Sequence, residues 1–320
     1  MKLGIIGAGR IGRKVSKTLH QIEGLELYAV ASRDLERAEA FASETGFEHA
    51  YGSYEELFSD PLVDLIYVCT PHSEHAKVMM AAINHGKNVI CEKAFTTNAA
   101  DARAVAALAR EKKVYAAEAM WVRYQPSRKI IEDLLSSGII GDVRMFSGSL
   151  SYNITYKERI MSKDMAGGAL FDLGVYGINF ALQFLGDDIK KVDSSVIYAS
   201  TGVDEKESIT IEYNDGRLAS LVHSIDCDGC REGIFHGSKG FLVVDNINNP
   251  AALDVYDNEY KLILHKELPV RVSGYEYEFE EAMSQIKKGA IESVSMPLDD
   301  SIRLIEVCDM VRAAWSASAF

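Results

Sequence analysis

The chain has 320 residues, enough for two domains at about 150 residues each. Its 34 lysines and arginines face 47 acidic residues, a formal charge of −13 with no local basic run, which argues against a nucleic-acid partner. Hydrophobic content of 48% suits a buried core, no apolar run is long enough to span a bilayer, the N-terminus lacks signal-peptide features, and five scattered cysteines point to a reducing, cytoplasmic setting.

In chain order, the first third alternates short apolar runs with helical patterns. LGIIG, LELYAVA, DLIYVCT, KNVICEK and VYAAEA read as strands buried on both faces of a parallel sheet. Between them the pattern predicts helices over 11–21, 34–45, 73–85 and 98–112, with Ser73 and Asn98 as N-caps and Gly86 as a stop. This is the grammar of a doubly wound α/β domain, predicted to span 1–119. The remainder, 120–320, is predicted to be an α+β domain. A helix over 125–137 leads it, with Pro126 at its start. Strands follow over 143–152, 191–200, 208–213, 217–226, 233–237, 241–245, 253–256 and 261–265, and Asn214-Asp215-Gly216 marks a hairpin. Strand after strand implies a large, mostly antiparallel sheet. An apolar helix over 168–185 interrupts the series, and helices over 275–288 and 299–314 close the chain.

Gly7-Ala8-Gly9-Arg10-Ile11-Gly12 follows the first strand and opens the first helix. Gly7 permits the tight turn, Gly9 lets the backbone approach a pyrophosphate, and Gly12 lets helix and strand pack closely. The strand–turn–helix context separates this loop from an ordinary glycine-rich turn. After the second strand comes Ser32-Arg33-Asp34, with Arg37 a turn further on. Two guanidiniums and a hydroxyl suit the 2′-phosphate of NADP. Asp34 leaves NAD possible, although it is better placed as a helix N-cap.

Glu92 and Lys93 end a strand at the carboxyl edge of the parallel sheet, where such folds bind ligands. Asp172, Tyr176, Asn179 and Gln183 are the polar exceptions of the apolar helix, and their spacing of four, three and four places them on one stripe. Such a stripe is either a satisfied buried network or an active-site wall.

GAGRIG, ASRDLERAEAFA, YGSYEELF, CEKAFTTNAAD, EAMWVRYQP and GGALFDLGVY together resemble the Gfo/Idh/MocA family over essentially the whole chain, in particular its branch of dimeric dihydrodiol dehydrogenases and NADP-dependent xylose dehydrogenases. The resemblance implies that Lys93 lies near the nicotinamide and the reacting hydroxyl, with Asp172 and Tyr176 facing it. Tyr176 would be the proton acceptor, with Lys93 lowering its pKa from about 10. It further implies that Trp121 and Arg123 line the cofactor and substrate site, that Arg33 and Arg37 bind the 2′-phosphate, and that Thr70, Pro71 and His75 form a cofactor-contacting loop. The family's Glu-Lys-Pro reads Glu92-Lys93-Ala94 here, and alanine is expected to leave Lys93 less rigidly placed.

Cys227 and Cys230, with His223 and His236 nearby in sequence, have no second C-x-x-C, and no metal site is expected. The stretch Tyr275-Glu276-Tyr277-Glu278 reads as a helix start with a solvated face. The sequence therefore predicts an NADP-dependent oxidoreductase acting on a secondary alcohol of a sugar, polyol or cyclic diol. A non-catalytic NADP-binding sensor is the competing reading. Ile197, Ile209, Ile211, Leu221, Ile225 and Val243 supply more apolar strand positions than one covered face requires, which predicts a homodimer through the C-terminal sheet.

Overall fold

The computed structural model describes residues 1–269 and 272–317. The described residues divide into two compact units, one from 1–124 and 272–302, the other from 125–269 and 303–317. The chain thus returns to the first unit after completing the second unit's strands.

In the first unit β1 (Lys2–Ile6), α1 (Arg10–Leu19), β2 (Glu26–Ala31), α2 (Leu35–Thr45), β3 (His49–Tyr51), α3 (Tyr54–Ser59), β4 (Leu65–Val68), α4 (His75–Asn84), β5 (Asn88–Glu92), α5 (Ala99–Lys112) and β6 (Ala116–Ala119) follow in order. The strands form one parallel sheet in the order β3-β2-β1-β4-β5-β6. Its order reverses between β1 and β4, the switch point at which doubly wound sheets receive ligands. Continuous apolar runs produce this arrangement because β4 and β6 are buried along their full length, with helices against the sheet.

Asn98 caps α5 by accepting from the Asp101 N–H at 2.9 Å, as its position predicts. Ser73 does not cap α4. Residues His72–Glu74 form a 3₁₀ turn behind Pro71, and α4 starts only at His75. The pattern also passes over β3, three residues long, and α3, whose Ser53–Glu56 capping box holds a single short turn.

The second unit begins with α6 (Pro126–Ser136) and continues through β7 (Val143–Ser151), a π turn at Leu170–Gly174, α7 (Val175–Leu185), β8 (Ile189–Tyr198), β9 (Asp204–Tyr213), β10 (Leu218–Ser224), β11 (Gly233–Gly237), β12 (Gly240–Val244), β13 (Ala252–Asp257) and β14 (Leu262–Glu267). These strands form an eight-stranded sheet in the order β14-β13-β12-β11-β7-β10-β9-β8. Only β7 and β10 pair in parallel. Helix α7 packs on β7 and β10, with Phe180 stacked on Phe146. The closing helices are α8 (Glu276–Lys287) and α9 (Leu298–Ala317).

Two expectations need correction. Ile209, Ile211, Leu221 and Ile225 are all buried, while Ile197 is exposed and Val243 half-buried, so most of the counted apolar positions belong to the covered face. The helix start at 275–281 is not a solvated face either, since Glu276 and Glu278 are buried. Glu276 accepts from the N–H groups of Val272, Ser273 and Gly274, satisfying backbone donors of the turn that leads into α8. Glu278 has no hydrogen-bond partner among the described residues, and burial beside Glu92 pushes its carboxyl well above the ordinary range.

Candidate active site

The glycine loop runs from the end of β1 into α1. Gly7 has φ of 105°, and a Cβ there would stand 2.8 Å from the Cys69 carbonyl oxygen. At Gly9 the nearest such atom would be 4.0 Å away, so the loop leaves open space where a pyrophosphate would approach. No side chain caps α1, whose first N–H groups are left for an anion. Arg10 is exposed, Ile11 half-buried, and Gly12 sits against Phe41 and the Cys69 thiol. At the end of β4 the buried Thr70 hydroxyl has no hydrogen-bond partner among the described residues. An open glycine cradle and an orphaned hydroxyl at the switch point fit a dinucleotide.

Beyond β2, Ser32 is buried and Arg33 and Arg37 are exposed. Arg37 Nη2 donates to the Ala8 carbonyl at 3.4 Å, which brings its guanidinium over the glycine loop. Asp34 accepts from the Arg37 N–H at 3.3 Å and is the N-cap of α2.

Lys93 is half-buried, and the peptide joining it to Ala94 is cis. The segment is held from two sides. His75, wholly buried, places Nδ1 2.8 Å from the Ala94 oxygen and Nε2 2.9 Å from the Thr70 oxygen, linking the two loops. The Phe95 N–H donates to Glu118 Oε1 at 3.0 Å. These contacts supply restraint at the position where alanine replaces the family's proline. Burial pushes the Glu118 carboxyl up to about 7, against the pull of the Phe95 N–H and the charges of Arg123 and Lys93. Glu92 accepts from the Tyr67 hydroxyl. Trp121 stacks on Tyr275 with centroids 4.4 Å apart, and Arg123, 6% exposed, pairs with Asp300 at 3.1 Å.

In the second unit Asp172 lies in the π turn and Tyr176 one turn further on, both 6% exposed, with Asn179 wholly buried and Gln183 half-buried. Asp172 receives both ends of the Arg159 guanidinium, Nη1 at 3.3 Å from Oδ2 and Nη2 on Oδ1. Such a fork fixes a carboxylate in both position and charge. Sequence reasoning missed Arg159, because residues 152–167 carry no periodicity to single it out. It passed over Glu118 as part of a strand, and weighed His223 only as a neighbour of Cys227 and Cys230. His223 is in fact buried against Glu207, and His236 Nε2 lies 3.0 Å from the Ser147 hydroxyl, so neither ring is committed to Cys227 or Cys230.

A dinucleotide cradle on a doubly wound sheet, with a lysine at its carboxyl edge, joined in one chain to a buried aspartate–tyrosine helix, defines an NAD(P)-dependent oxidoreductase. Comparison with known proteins specifies the family. Residues 1–119 match the model of the oxidoreductase family with an NAD-binding Rossmann fold, and residues 129–243 that of the GFO/IDH/MocA C-terminal domain. The chain belongs to the Gfo/Idh/MocA family. It is 34% identical to trans-1,2-dihydrobenzene-1,2-diol dehydrogenase of Xenopus tropicalis over 316 residues, covering 96% of each chain. The mouse (Mus musculus) protein of that name is 32% identical, with 98% of this chain and 96% of that one covered. A 3-ketoreductase from Actinomadura kijaniata, solved in complex with NADP and TDP-benzene, superposes with a TM-score of 0.91 at 26% identity, covering 98% of both chains.

Proposed function

We propose that this protein interconverts a secondary alcohol and its carbonyl on a sugar, polyol or cyclic diol, with NADP as the preferred cofactor. The observation that carries the reading is the Asp172–Tyr176 helix turn, buried and braced by Arg159, in a member of this oxidoreductase family. A core network needs no phenol kept in that register, whereas alcohol oxidation needs a group that accepts the hydroxyl proton.

NADP, when bound, supplies the hydride acceptor for oxidation and the donor for reduction. Gly7, Gly9, Arg10, Ile11 and Gly12 would hold its pyrophosphate, and Ser32, Arg33 and Arg37 the 2′-phosphate. Thr70, Pro71, His75, Glu92, Trp121 and Arg123 are assigned to the rest of the cofactor site. Tyr176 takes the hydroxyl proton in oxidation and returns it in reduction. Lys93, at the carboxyl edge of the parallel sheet, is assigned to the nicotinamide end of the cofactor site, and Asp172, fixed by Arg159, keeps the turn before Tyr176 in place. The two named similarities, to a dihydrodiol dehydrogenase and to a ketoreductase, support a hydroxyl- or keto-bearing ring as substrate.

The reading includes a cytoplasmic homodimer. Among the described residues no helix is long and apolar enough to cross a membrane. The sheet face opposite α7 carries Val222, 51% exposed, and the half-buried Ile234, Phe241 and Val243, an apolar strip that suits a second copy. A panel of aldoses, polyols and trans-diols assayed with NADP and NAD tests the activity. NADP reduction by at least one class is expected, and no turnover across the panel in either direction would refute the reading. Sedimentation at micromolar concentration should show a dimer.

A further inference from the structure

Beneath the helix that carries Tyr176 lies a polar cluster with no part in that scheme. Glu207 on β9 and His223 on β10 are register partners, so both project from one face of the sheet. His223 Nδ1 is 2.9 Å from Glu207 Oε1, and both side chains are wholly buried. The second Glu207 oxygen and His223 Nε2 have no hydrogen-bond partner among the described residues. What covers the pair is backbone. A Cβ at Gly177 would stand 2.6 Å from His223 Nε2, and one at Gly174 would overlap Glu207 Oε1. At the entrance to the π turn, Asp204 Oδ2 accepts from the Leu170 N–H at 2.6 Å, and a Cβ at Gly168 would overlap the same carboxylate. Three glycines of the G-G-A-L-F-D-L-G-V-Y-G stretch thus lie directly on three ionisable side chains.

At about 100° per residue, Gly174 and Gly177 lie roughly 100–160° around the helix from Tyr176. The glycine side is therefore the seat of the helix and the Asp172–Tyr176 side its working face. We infer that Glu207 and His223, with Asp204 at the helix entrance, are positioning residues that seat the glycine face and so set where Tyr176 stands. Burial pushes the Glu207 carboxyl up to about 8 and holds the His223 ring down to about 3, so near neutral pH a neutral acid meets a neutral imidazole. A neutral pair suits this place, because a buried charge against helix backbone without a counter-ion would be costly.

The inference rests on Tyr176 being the proton carrier, and the test separates the two. Glu207→Ala, Glu207→Gln, Gly177→Ala and Tyr176→Phe are prepared in the full chain and assayed with NADP against trans-1,2-dihydrobenzene-1,2-diol and D-xylose. Glu207→Ala is expected to lower kcat at least tenfold, with the NADP Kd and KM within twofold of wild type. Glu207→Gln, which keeps a neutral hydrogen bond to the ring, should retain at least half the wild-type kcat. Gly177→Ala should also lower kcat, and it replaces Glu207→Ala if that variant does not fold. If neither alcohol is turned over, the ¹⁹F resonance of 3-fluorotyrosine at 176, assigned by its loss in Tyr176→Phe, replaces kcat. It should shift in Glu207→Ala and stay in place in Glu207→Gln. A folded Glu207→Ala with wild-type kcat or an unmoved resonance overturns the inference, as does Glu207→Gln matching Glu207→Ala in damage. Wild-type turnover in Tyr176→Phe would instead overturn the proposed function.

Discussion

The two units fix their key segments by different means. Around Lys93 an irregular stretch follows a strand, and it is held atom by atom, with His75 on the Ala94 oxygen and Glu118 on the Phe95 N–H. Around Tyr176 the backbone is helical and satisfies its own hydrogen bonds, so it needs a seat rather than tethers, and three glycines provide one. The buried acids reflect this difference. Glu118 is pushed up by burial but lies beside Arg123, Lys93 and a backbone donor, whereas Glu207 is raised by burial alone. A tether works through the partner that it holds, and a seat works through shape. The first should fail when a donor or acceptor is lost, the second when volume changes.

The largest effect expected is at the proposed chemistry. Tyr176→Phe removes one hydroxyl and keeps the ring, and turnover should fall by ~10²–10⁴-fold with cofactor affinity and melting temperature near wild type. Lys93→Met should be comparably damaging. A lowered melting temperature with normal turnover in Tyr176→Phe would make the stripe a core network instead. Next comes cofactor choice. Arg33→Ala should weaken NADP binding by ~1.5–3 kcal/mol, the range of a lost charge-assisted hydrogen bond, and leave NAD nearly unchanged, as titration of each cofactor would show.

A third measurement separates seat from tether through pH. Glu207, raised from an ordinary value of 4.5 to about 8, keeps in the folded state a proton that the unfolded chain releases, so its contribution makes stability fall as pH rises from 4.5 to 8. His223, lowered from 6.5 to about 3, acts oppositely, adding stability as pH rises from 3 to 6.5. The two offset each other between 4.5 and 6.5, leaving a net fall from 6.5 to 8. Glu207→Gln should flatten the melting temperature over that last window. Asp204, raised to about 7 by burial and by Glu207, keeps part of the slope. An unchanged slope would show that Glu207 is ionised in the fold.

Most of the first unit was legible in the sequence, because its strands are buried on both sides and its phosphate loop is written as consecutive residues. The Asp172–Tyr176 stripe was legible too, since helical periodicity places residues four apart on one face. What lay beneath the stripe was not. Glu207 and His223 are sixteen positions apart and meet only through strand register, and Glu118 reads as any residue of a short buried strand. Arg159 finds Asp172 from an irregular segment, where no period links sequence position to place. Glu276 and Glu278 misled because acidic residues at a helix start usually face water. Here the first accepts from backbone N–H groups and the second is buried beside Glu92.

The smallest effect tests a residue with two candidate roles. Asp34 follows β2 at the place where an NAD site carries its ribose carboxylate, yet its oxygen accepts from the Arg37 N–H and starts α2. The roles separate under two substitutions. Asp34→Ala removes the cap and should cost about 1 kcal/mol of stability, read by thermal or urea denaturation. Asp34→Asn keeps a capping oxygen and loses only the charge, so its stability should match wild type within a few tenths. If capping is the whole role, Asp34→Asn should also leave NAD affinity unchanged. The absent negative charge can only ease the approach of a 2′-phosphate to Arg33 and Arg37, so NADP affinity should hold or rise slightly. A marked loss of NAD binding in Asp34→Asn at unchanged stability would make the carboxylate a ribose ligand and the chain a dual-cofactor enzyme.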